Sequence, residues 1–268
     1  MKRAIKLVLY YFGYQLLFTL PFTFIFNMLS NKGSISAEAG TVSATGIGMV
    51  LSGIVMIWHL IHFKYVKFNL KSFSEVPAKT IWLSIPLIIG AMTFFNFCSE
   101  FVELPNWMED EFIGMSRNVF GVLSVAIMAP LVEELLFRGA IEDHLLRQGK
   151  SPLAAILISA LIFGIIHINP AQVPFAFAIG AVFGWLYYRT GSVVPGIIGH
   201  FINNSIACIQ MMVLSKEELN TKTVDLIGEV PTYALFAASF ALMIGSFLYL
   251  KKHLPAAPEY KEEQELTI

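Results

Sequence analysis

Three short groups of polar residues interrupt long apolar stretches in the second half of the chain. They are Glu133-Glu134-x-x-x-Arg138, Phe163-x-x-x-His167 and His200-x-x-x-Asn204. A carboxylate and an imidazole together can hold and deprotonate a water molecule. A second imidazole and an amide NH₂ group can donate hydrogen bonds to an oxyanion. These residue types predict the hydrolysis of a peptide bond without a covalent intermediate.

A metal site is the alternative use of the same side chains. Glu133, His167 and His200 could bind Zn²⁺, because one glutamate and two histidines can hold this ion and leave a position open for water. The spacing alone leaves both uses open. The chain has no His-Glu-x-x-His, Gly-x-Gly-Asp or Gly-x-Ser-x-Gly pattern, which disfavours the forms of hydrolytic chemistry that depend on these motifs.

Helical spacing indicates which of these side chains share a face. Glu134 and Arg138 are four residues apart and can form an ion pair on one face of a helix. His200 and Asn204 are also four residues apart, so they project side by side. Glu133 lies about 100° around the helix from Glu134, so the two carboxylates can face different partners.

The distance of each group from the nearest turn indicates its depth in a membrane. Glu133 lies 16 or 17 residues before the turn at Gly149-Lys150, and His167 lies about as many after it. At a rise of about 1.5 Å per residue, the two are level to within about 2 Å. The same reasoning puts His200 about 10 Å inside the lipid boundary. We therefore expect Glu133, His167, His200 and Asn204 in one layer near the cytoplasmic surface.

The composition indicates a lipid environment for most of the chain. Of the 268 residues, 56% are hydrophobic and 14% are charged, whereas about a quarter of the residues in a soluble domain are charged. The net charge of −1 argues against a large basic face for nucleic acid. The two cysteines lie far apart and lack metal-ligand spacing, which excludes a disulfide framework or a zinc finger.

Apolar segments of about 20 residues predict an all-α, polytopic integral membrane bundle of about eight transmembrane helices. The candidate spans are residues 5–28, 42–63, 80–101, 117–138, 152–169, 173–189, 192–214 and 231–250. The connections that hold turn formers and charges include residues 30–33, 71–74, 148–151 and 189–191.

Lysine and arginine are concentrated in the loops on one side of the membrane, the side that also holds both ends of the chain. This asymmetry predicts cytoplasmic termini, and we expect the plasma (inner) membrane as the location. Residues 1–253 are expected to form one transmembrane domain. Residues 254–268 are polar and are expected to be a disordered cytoplasmic tail.

The three groups of polar residues resemble the signatures of the CAAX-protease and bacteriocin-processing family. This family comprises intramembrane endopeptidases, including prenyl-protein proteases of the Rce1 type. The resemblance covers about residues 117–210 and holds at every motif position. It implies a bundle of eight or a similar number of helices, in agreement with the number of apolar segments.

The resemblance also implies a role for each motif residue. The implied catalytic residues are Glu133, His167, His200 and Asn204, supported by Glu134 and Arg138. The first two would activate the water, and the next two would stabilise the oxyanion. No cofactor is favoured, because Asn204 would be a poor zinc ligand and a good oxyanion donor. The alternative is a zinc mechanism with Glu133, His167 and His200 as ligands.

A member of this family would act on a protein or peptide at the lipid bilayer. The substrate could be a prenylated C-terminus, a secreted peptide precursor or another membrane protein. Two rival functions use the same residues differently. A non-catalytic membrane scaffold or immunity protein could keep the motifs without turnover, and a proton-coupled transporter could use buried Glu and His as a relay. The absence of a visible internal repeat disfavours the transporter.

Overall fold

The computed structural model of the protein describes residues 1–66 and 77–260, and every regular element in these two ranges is a helix. In chain order the helices are α1 (Lys2–Asn31), α2 (Ala37–His62), α3 (Ala78–Ser99), α4 (Glu109–Ser116), α5 (Val119–Arg147), α6 (Pro152–Ile165), α7 (Val173–Thr190), α8 (Val194–Val213), α9 (Lys216–Leu219), α10 (Thr223–Ile227) and α11 (Glu229–His253). The predicted all-α membrane class is confirmed.

Six of these helices, α1, α2, α3, α5, α8 and α11, are long and apolar enough to cross a membrane. Helix α6 has 14 residues and is about 21 Å long, which is short for a hydrocarbon core of about 30 Å. Helix α7 also falls outside the six, and its last turn carries Tyr187, Tyr188 and Arg189. The predicted count of eight spans is therefore not confirmed.

The predicted connections coincide with backbone turns wherever the structure describes them. Gly33, Gly149 and Gly191 have positive φ angles of 74°, 75° and 67°, a conformation that glycine adopts without strain. They end or follow α1, α5 and α7. The predicted loop at residues 71–74 lies outside the described residues.

The helices group into two compact units, which are described separately. The first comprises Met1–Lys67, Met108–Leu136 and His200–Asn220, and the second comprises Phe68–Trp107, Phe137–Gly199 and Thr221–Ile268. The prediction of one domain over residues 1–253 stays a prediction.

In the first unit, helix α2 packs against both α1 and the N-terminal part of α5. Small residues allow this approach. A Cβ atom added to Gly46 would lie 2.7 Å from the backbone of Phe120 and Gly121, so any larger residue would push α5 away. Close backbone contact through small residues is typical of helix pairs in membranes. It fixes the part of α5 that leads to Glu133.

In the second unit, α3 packs against α11, and α6 packs against α7. A Cβ atom at Gly90 of α3 would lie 2.7 Å from the backbone nitrogen of Met243 in α11. The rings of Phe94 and Phe236 stack beside this contact, with their centroids 5.0 Å apart. The α6–α7 pair positions the Phe163-x-x-x-His167 motif.

Helix α5 is continuous but irregular. Two stretches, Leu123–Met128 and Leu135–Glu142, are π-helical, and one α-helical stretch, Ala129–Glu134, lies between them. In a π-helix the backbone hydrogen bonds run from residue i to residue i+5, and such segments are frequent at functional sites. Glu133 and Glu134 therefore lie at the end of a short α-helical segment that has a π-helical segment on each side.

The first residues of the predicted tail make specific contacts within the second unit. The Arg189 guanidinium donates hydrogen bonds to the carbonyl oxygen of Leu254 at 3.1 Å and to that of Pro255 at 2.9 Å. The Tyr260 hydroxyl donates to the carbonyl oxygen of Tyr188 at 3.1 Å. Residues 261–268 lie outside the described residues, so the predicted disorder of the tail stays untested.

Candidate active site

Glu133 is a buried carboxylate with two polar neighbours in the first unit. Only 7% of its surface is exposed. The Tyr11 hydroxyl, from α1, donates a 2.9 Å hydrogen bond to its Oε1 atom. The Nε2 atom of His200, from α8, lies 3.9 Å from its Oε2 atom. The two carboxylate oxygens therefore differ, because one accepts a phenol and the other faces an imidazole.

Glu134 approaches the same imidazole from its other nitrogen. Its Oε1 atom lies 3.1 Å from Nδ1 of His200, and both side chains are buried. The two glutamates were predicted to face different partners, and they face opposite nitrogens of one ring.

The protonation state of the His200 ring decides whether its Nε2 atom accepts or donates a hydrogen bond. When Nδ1 donates its proton to Glu134, a neutral ring leaves a lone pair on Nε2, whereas a charged ring carries a proton there. With a lone pair, Nε2 can accept a proton from water. With a proton, it can donate a hydrogen bond to an oxyanion. Both states fit the observed distances.

Asn204 is held by the first π-helical segment. Its Nδ2 atom donates a 2.8 Å hydrogen bond to the carbonyl oxygen of Val125. In the i→i+5 pattern this carbonyl would accept the N–H of residue 130, but Pro130 has none. The N–H of Ala129 already bonds to the carbonyl of Ser124. The Asn204 amide thus supplies a hydrogen bond that the π-helix cannot make, and this fixes the orientation of the amide.

The second amide hydrogen of Asn204 is not used by Val125, since an NH₂ group has two donors. The Asn204 Oδ1 atom accepts a 3.1 Å hydrogen bond from Nδ2 of Asn203. Since the carbonyl of Val125 can only accept, the NH₂ end of the Asn204 amide must lie on that side. Asn204 therefore has the geometry of an oriented donor with one hydrogen to spare.

His167 belongs to the second unit, just beyond the end of α6. Its Nδ1 atom lies 2.8 Å from the carbonyl oxygen of Phe163. A carbonyl can only accept, so Nδ1 must carry the proton, and a neutral ring then has its lone pair on Nε2. The Phe163 ring packs against the edge of His167, with the ring centroids 5.0 Å apart. The four-residue spacing of this motif places the His167 ring beside the backbone carbonyl of Phe163. The resulting hydrogen bond selects the tautomer with the proton on Nδ1.

Arg138 is also in the second unit and is only 1% exposed. Its guanidinium donates a 2.9 Å hydrogen bond to the carbonyl oxygen of Gly180. It lies over the Phe163 ring, with the guanidinium carbon 4.5 Å from the ring centroid. Arg138 and His167 therefore share one aromatic neighbour. The predicted ion pair with Glu134 assumed α-helical spacing, whereas Leu135–Glu142 is π-helical, and the pair stays a prediction.

The structure brings four of the predicted residues onto two helices of one unit: Glu133 and Glu134 on α5, and His200 and Asn204 on α8. The expected meeting of Glu133 with His167 stays a prediction, because the two belong to different units. Sequence reasoning missed Tyr11. An isolated tyrosine in an apolar helix is ordinary, so its contact with a residue 122 positions away had no local signal.

Asn169 is a second residue that sequence reasoning missed. It is 1% exposed, and its side chain bonds to the backbone N–H of Trp107 at 3.0 Å and to the side chain of Asn106 at 2.7 Å. These bonds lie within the second unit and anchor the loop that follows His167. The Asn-Pro sequence predicted only a turn.

The zinc alternative needs three ligands around one point. Among the residues that the structure describes, no group of three His, Cys, Asp or Glu side chains has the arrangement of a metal site. Within the first unit, Glu133 and His200 supply one carboxylate and one imidazole, and the third proposed ligand, His167, lies in the second unit. The choice between the two mechanisms is not tested by this geometry.

Comparisons with known proteins bear on the segment that contains the motifs. Residues 115–206 match the model of a family described as type II CAAX prenyl endopeptidase Rce1-like. No solved structure is significantly similar to the chain.

Three curated proteins are also similar. The chain is 31% identical over 107 residues to the membrane-embedded CAAX protease MroQ of Staphylococcus aureus, covering 38% of this chain and 43% of MroQ. It is 31% identical over 91 residues to YdiL of Bacillus subtilis, which covers 34% of this chain and 37% of YdiL. A third protein, YyaK of Bacillus subtilis, is 31% identical over 121 residues, which is 41% of this chain and 40% of YyaK.

The matched part is thus about two fifths of the length of each of these relatives. The acids, imidazoles and amide described above lie within residues 115–206, the segment that matches the family model. The predicted resemblance is confirmed over this part, because residues 115–206 of this integral membrane protein match the Rce1-like family model and the chain is similar to a membrane-embedded CAAX protease.

Proposed function

We propose that this protein is an intramembrane endopeptidase that hydrolyses a peptide bond with a water molecule activated by Glu133. The observation that carries the proposal is the buried pair of Glu133 and His200, whose Oε2 and Nε2 atoms lie 3.9 Å apart inside the family segment. A charged side chain in a spanning helix costs about 2.5–3.5 kcal/mol on insertion scales. Two adjacent buried glutamates in α5 are therefore expected to have a function.

In the proposed reaction Glu133 and His167 hold the water and accept its proton. The Oε2 atom of Glu133 is the basic atom on the His200 side. The protonated Nδ1 of His167 bonds to Phe163, so its Nε2 lone pair is free to accept a hydrogen bond from the same water. A positioned general base of this kind contributes typically about 10²–10⁴-fold to a rate.

His200 and Asn204 are proposed to stabilise the oxyanion that forms when the water attacks the peptide carbonyl. The Nε2 atom of His200 would be one donor, and the Nδ1 atom of the same ring lies 3.1 Å from Oε1 of Glu134. Asn204 is oriented by Val125 and has one amide hydrogen left. Donors that are fixed before the reaction lose no free energy in reorienting when the negative charge develops.

The proposed substrate is a protein or peptide at the membrane. MroQ is named as a CAAX protease, and for this chain a lipidated C-terminus is one candidate beside unmodified membrane peptides. We propose cytoplasmic termini and a plasma (inner) membrane location from the distribution of Lys and Arg. An even number of spans, whether six or eight, keeps both termini on one side.

The test is cleavage by the purified full-length protein in detergent. Internally quenched peptides, each made with and without a farnesyl group, are offered to the wild type and to Glu133→Gln. The glutamine keeps the shape of the glutamate but removes the base, so we expect a loss on the order of 10³-fold or more. The matched control is Glu111→Gln, a substitution in the loop helix α4.

The same assay separates the two mechanisms and the rival function. Cleavage that resists a strong chelator supports the metal-free mechanism. Reversible inhibition by the chelator, with stoichiometric zinc in the purified protein, would overturn it in favour of Glu133, His167 and His200 as ligands. If mass spectrometry of membrane and secreted peptides shows no product that depends on Glu133, the protein is a scaffold rather than a peptidase.

A further inference from the structure

We propose that Tyr11 of α1 is a positioning residue for Glu133, which fixes Oε1 and thereby leaves Oε2 as the atom that takes the proton. The inference deepens the proposed function and rests on it. It adds a residue from outside the segment that matches the family, since that segment begins at residue 115.

The contact is a buried hydrogen bond with a defined direction. The phenol oxygen of Tyr11 lies 2.9 Å from Oε1 of Glu133. Tyr11 is 5% exposed and Glu133 is 7% exposed, so water has little access to replace the bond. A charged carboxylate has no proton to give, so the phenol is the donor. Hydrogen bonds to an ionised acceptor are about twice as strong as neutral ones.

The bond makes the two oxygens of Glu133 unequal. Oε1 accepts the phenol, and Oε2 faces the His200 ring. A glutamate side chain has several rotatable bonds and could turn away from a water molecule if neither oxygen were held. With Oε1 tied to α1, Oε2 is held toward His200. The phenol keeps its own proton throughout, so Tyr11 acts only through Glu133.

Helix α1 provides a matched control three residues further along. The Tyr14 hydroxyl also makes a 2.9 Å contact with a side chain of the first unit, in this case Nδ1 of His59 in α2. Its partner is not one of the proposed catalytic residues. Tyr11→Phe and Tyr14→Phe each remove one hydroxyl from the same helix, and each breaks a contact with a side chain on another helix.

The kinetic test compares these two variants with the wild type on the cleaved peptide. A hydrogen bond to a charged group is strong enough that Tyr11→Phe should lower kcat by about 10- to 100-fold. KM should not change, because Tyr11 does not touch the substrate. Tyr14→Phe should stay within about twofold of the wild type. In a Glu133→Gln background, Tyr11→Phe should cause no further loss.

The inference is overturned if Tyr11→Phe keeps its kcat, if it raises KM instead, or if its effect multiplies that of Glu133→Gln. Each of these results would leave the proposed function intact, provided that Glu133→Gln itself is inactive.

A second measurement does not depend on activity. Infrared difference spectra of the wild type and Glu133→Gln identify the carboxylate stretching band of Glu133. We expect Tyr11→Phe to shift this band and Tyr14→Phe to leave it in place. An unshifted band refutes the positioning role even if the protein cleaves peptides. A shifted band with no cleavage by the wild type supports the bond and refutes the proposed peptidase.

Folding is controlled in the same experiment by a more conservative variant. Tyr11→3-fluorotyrosine keeps the ring and the hydroxyl but makes the phenol a stronger donor. It should retain kcat within about threefold and move the band opposite to Tyr11→Phe, since hydrogen bonds strengthen with donor acidity. If this variant leaves the band of Glu133 unchanged, the proposed bond is absent.

Discussion

Each of the two π-helical segments of α5 has a backbone carbonyl that accepts a hydrogen bond from a side chain of another helix. In the first, the carbonyl of Val125 accepts a hydrogen bond from Asn204 at 2.8 Å. In the second, the carbonyl of Phe137 accepts one from Ser159 at 2.8 Å. Each donor comes from another helix of the same unit. In the first segment Pro130 has no N–H for the carbonyl of Val125, whereas in the second Glu142 has an N–H at the i+5 position of Phe137, so Ser159 supplies an additional bond.

The two donors differ in whether a hydrogen remains for chemistry after the backbone carbonyl is satisfied. Asn204 has a second amide hydrogen and is one helical turn from His200, so it can serve both the backbone and an oxyanion. Ser159 is fully buried, and its single hydrogen is used by Phe137. The first π-helical segment thus orients a residue with proposed chemistry, while the second one only joins α5 to α6.

The largest expected effect in this comparison is that of Asn204→Ala. It removes a proposed oxyanion donor, which typically costs about 10²–10³-fold in kcat. It also leaves the carbonyl of Val125 without this partner, which costs about 1–3 kcal/mol of stability. Peptide cleavage and thermal unfolding in detergent measure the two losses separately. A variant that loses stability but keeps kcat would remove Asn204 from the chemistry.

The two roles of Asn204 can be separated at Pro130. Pro130→Ala restores an N–H at the position that the i→i+5 pattern needs for the carbonyl of Val125. Combined with Asn204→Ala, it should recover about 1–2 kcal/mol of the lost stability and none of the lost activity. The single variant Pro130→Ala is the control. Recovery of cleavage in the double variant would show that Asn204 acts only as a structural donor.

Ser159→Ala tests the second segment and should have a smaller effect. The carbonyl of Phe137 loses one hydrogen bond in a buried position, which costs about 1 kcal/mol and lowers the unfolding temperature by a few degrees. The kcat of the proposed peptidase reaction should stay within about twofold. A loss of kcat comparable to that of Asn204→Ala would contradict the division between site and scaffold.

Parts of this arrangement could be predicted from the sequence. Apolar length predicted the helices, and helical spacing put His200 beside Asn204 on one face. It also indicated that Glu133 and Glu134 could face different partners, whereas both lie beside the ring of His200. These predictions needed only the geometry of a single helix. The partners across helices, such as Tyr11 with Glu133, depend on packing and had no signal in the local pattern.

The end of α6 shows a second limit. Hydropathy predicted a span over residues 152–169, because Ile166 and Ile168 continue the apolar pattern. The helix ends at Ile165, and Ile168 has a positive φ of 61°. The hydrogen bonds of Asn169 to Asn106 and Trp107 hold this turn in place. Hydropathy counts the residues but does not detect such an anchor.

The π-helical segments could not be predicted from hydropathy either. Leu123–Met128 is apolar throughout, and an α-helix and a π-helix of the same residues have the same hydropathy. One signal in the sequence was not used: Pro130 has no N–H for a carbonyl of the preceding turn. Which residue supplies it could be learned only from the packing of α8 against this part of α5 in the first unit.

The smallest effect is expected where a polar contact serves neither a π-helical segment nor the proposed site. Lys216, which is predicted to lie outside the membrane, pairs with Asp110 at 2.6 Å and Glu109 at 3.1 Å. These hydrogen bonds raise the pKa of Lys216 above its ordinary value. A raised lysine pKa stabilises the folded state fully below the unfolded pKa of about 10.4, and the effect is lost only as the pH rises through the folded pKa.

Lys216→Ala should therefore lower the unfolding temperature by the same small amount at every pH between 6 and 9. Exposed ion pairs contribute little to stability because solvent and salt screen them. We expect a shift well below that of Ser159→Ala and an unchanged kcat. Thermal unfolding at low and high salt measures it, with Lys222→Ala at the Glu103 pair as the control. A shift as large as that of Ser159→Ala would contradict this expectation. It would show that the Lys216 ion pairs stabilise the first unit as much as the Ser159 hydrogen bond stabilises the second.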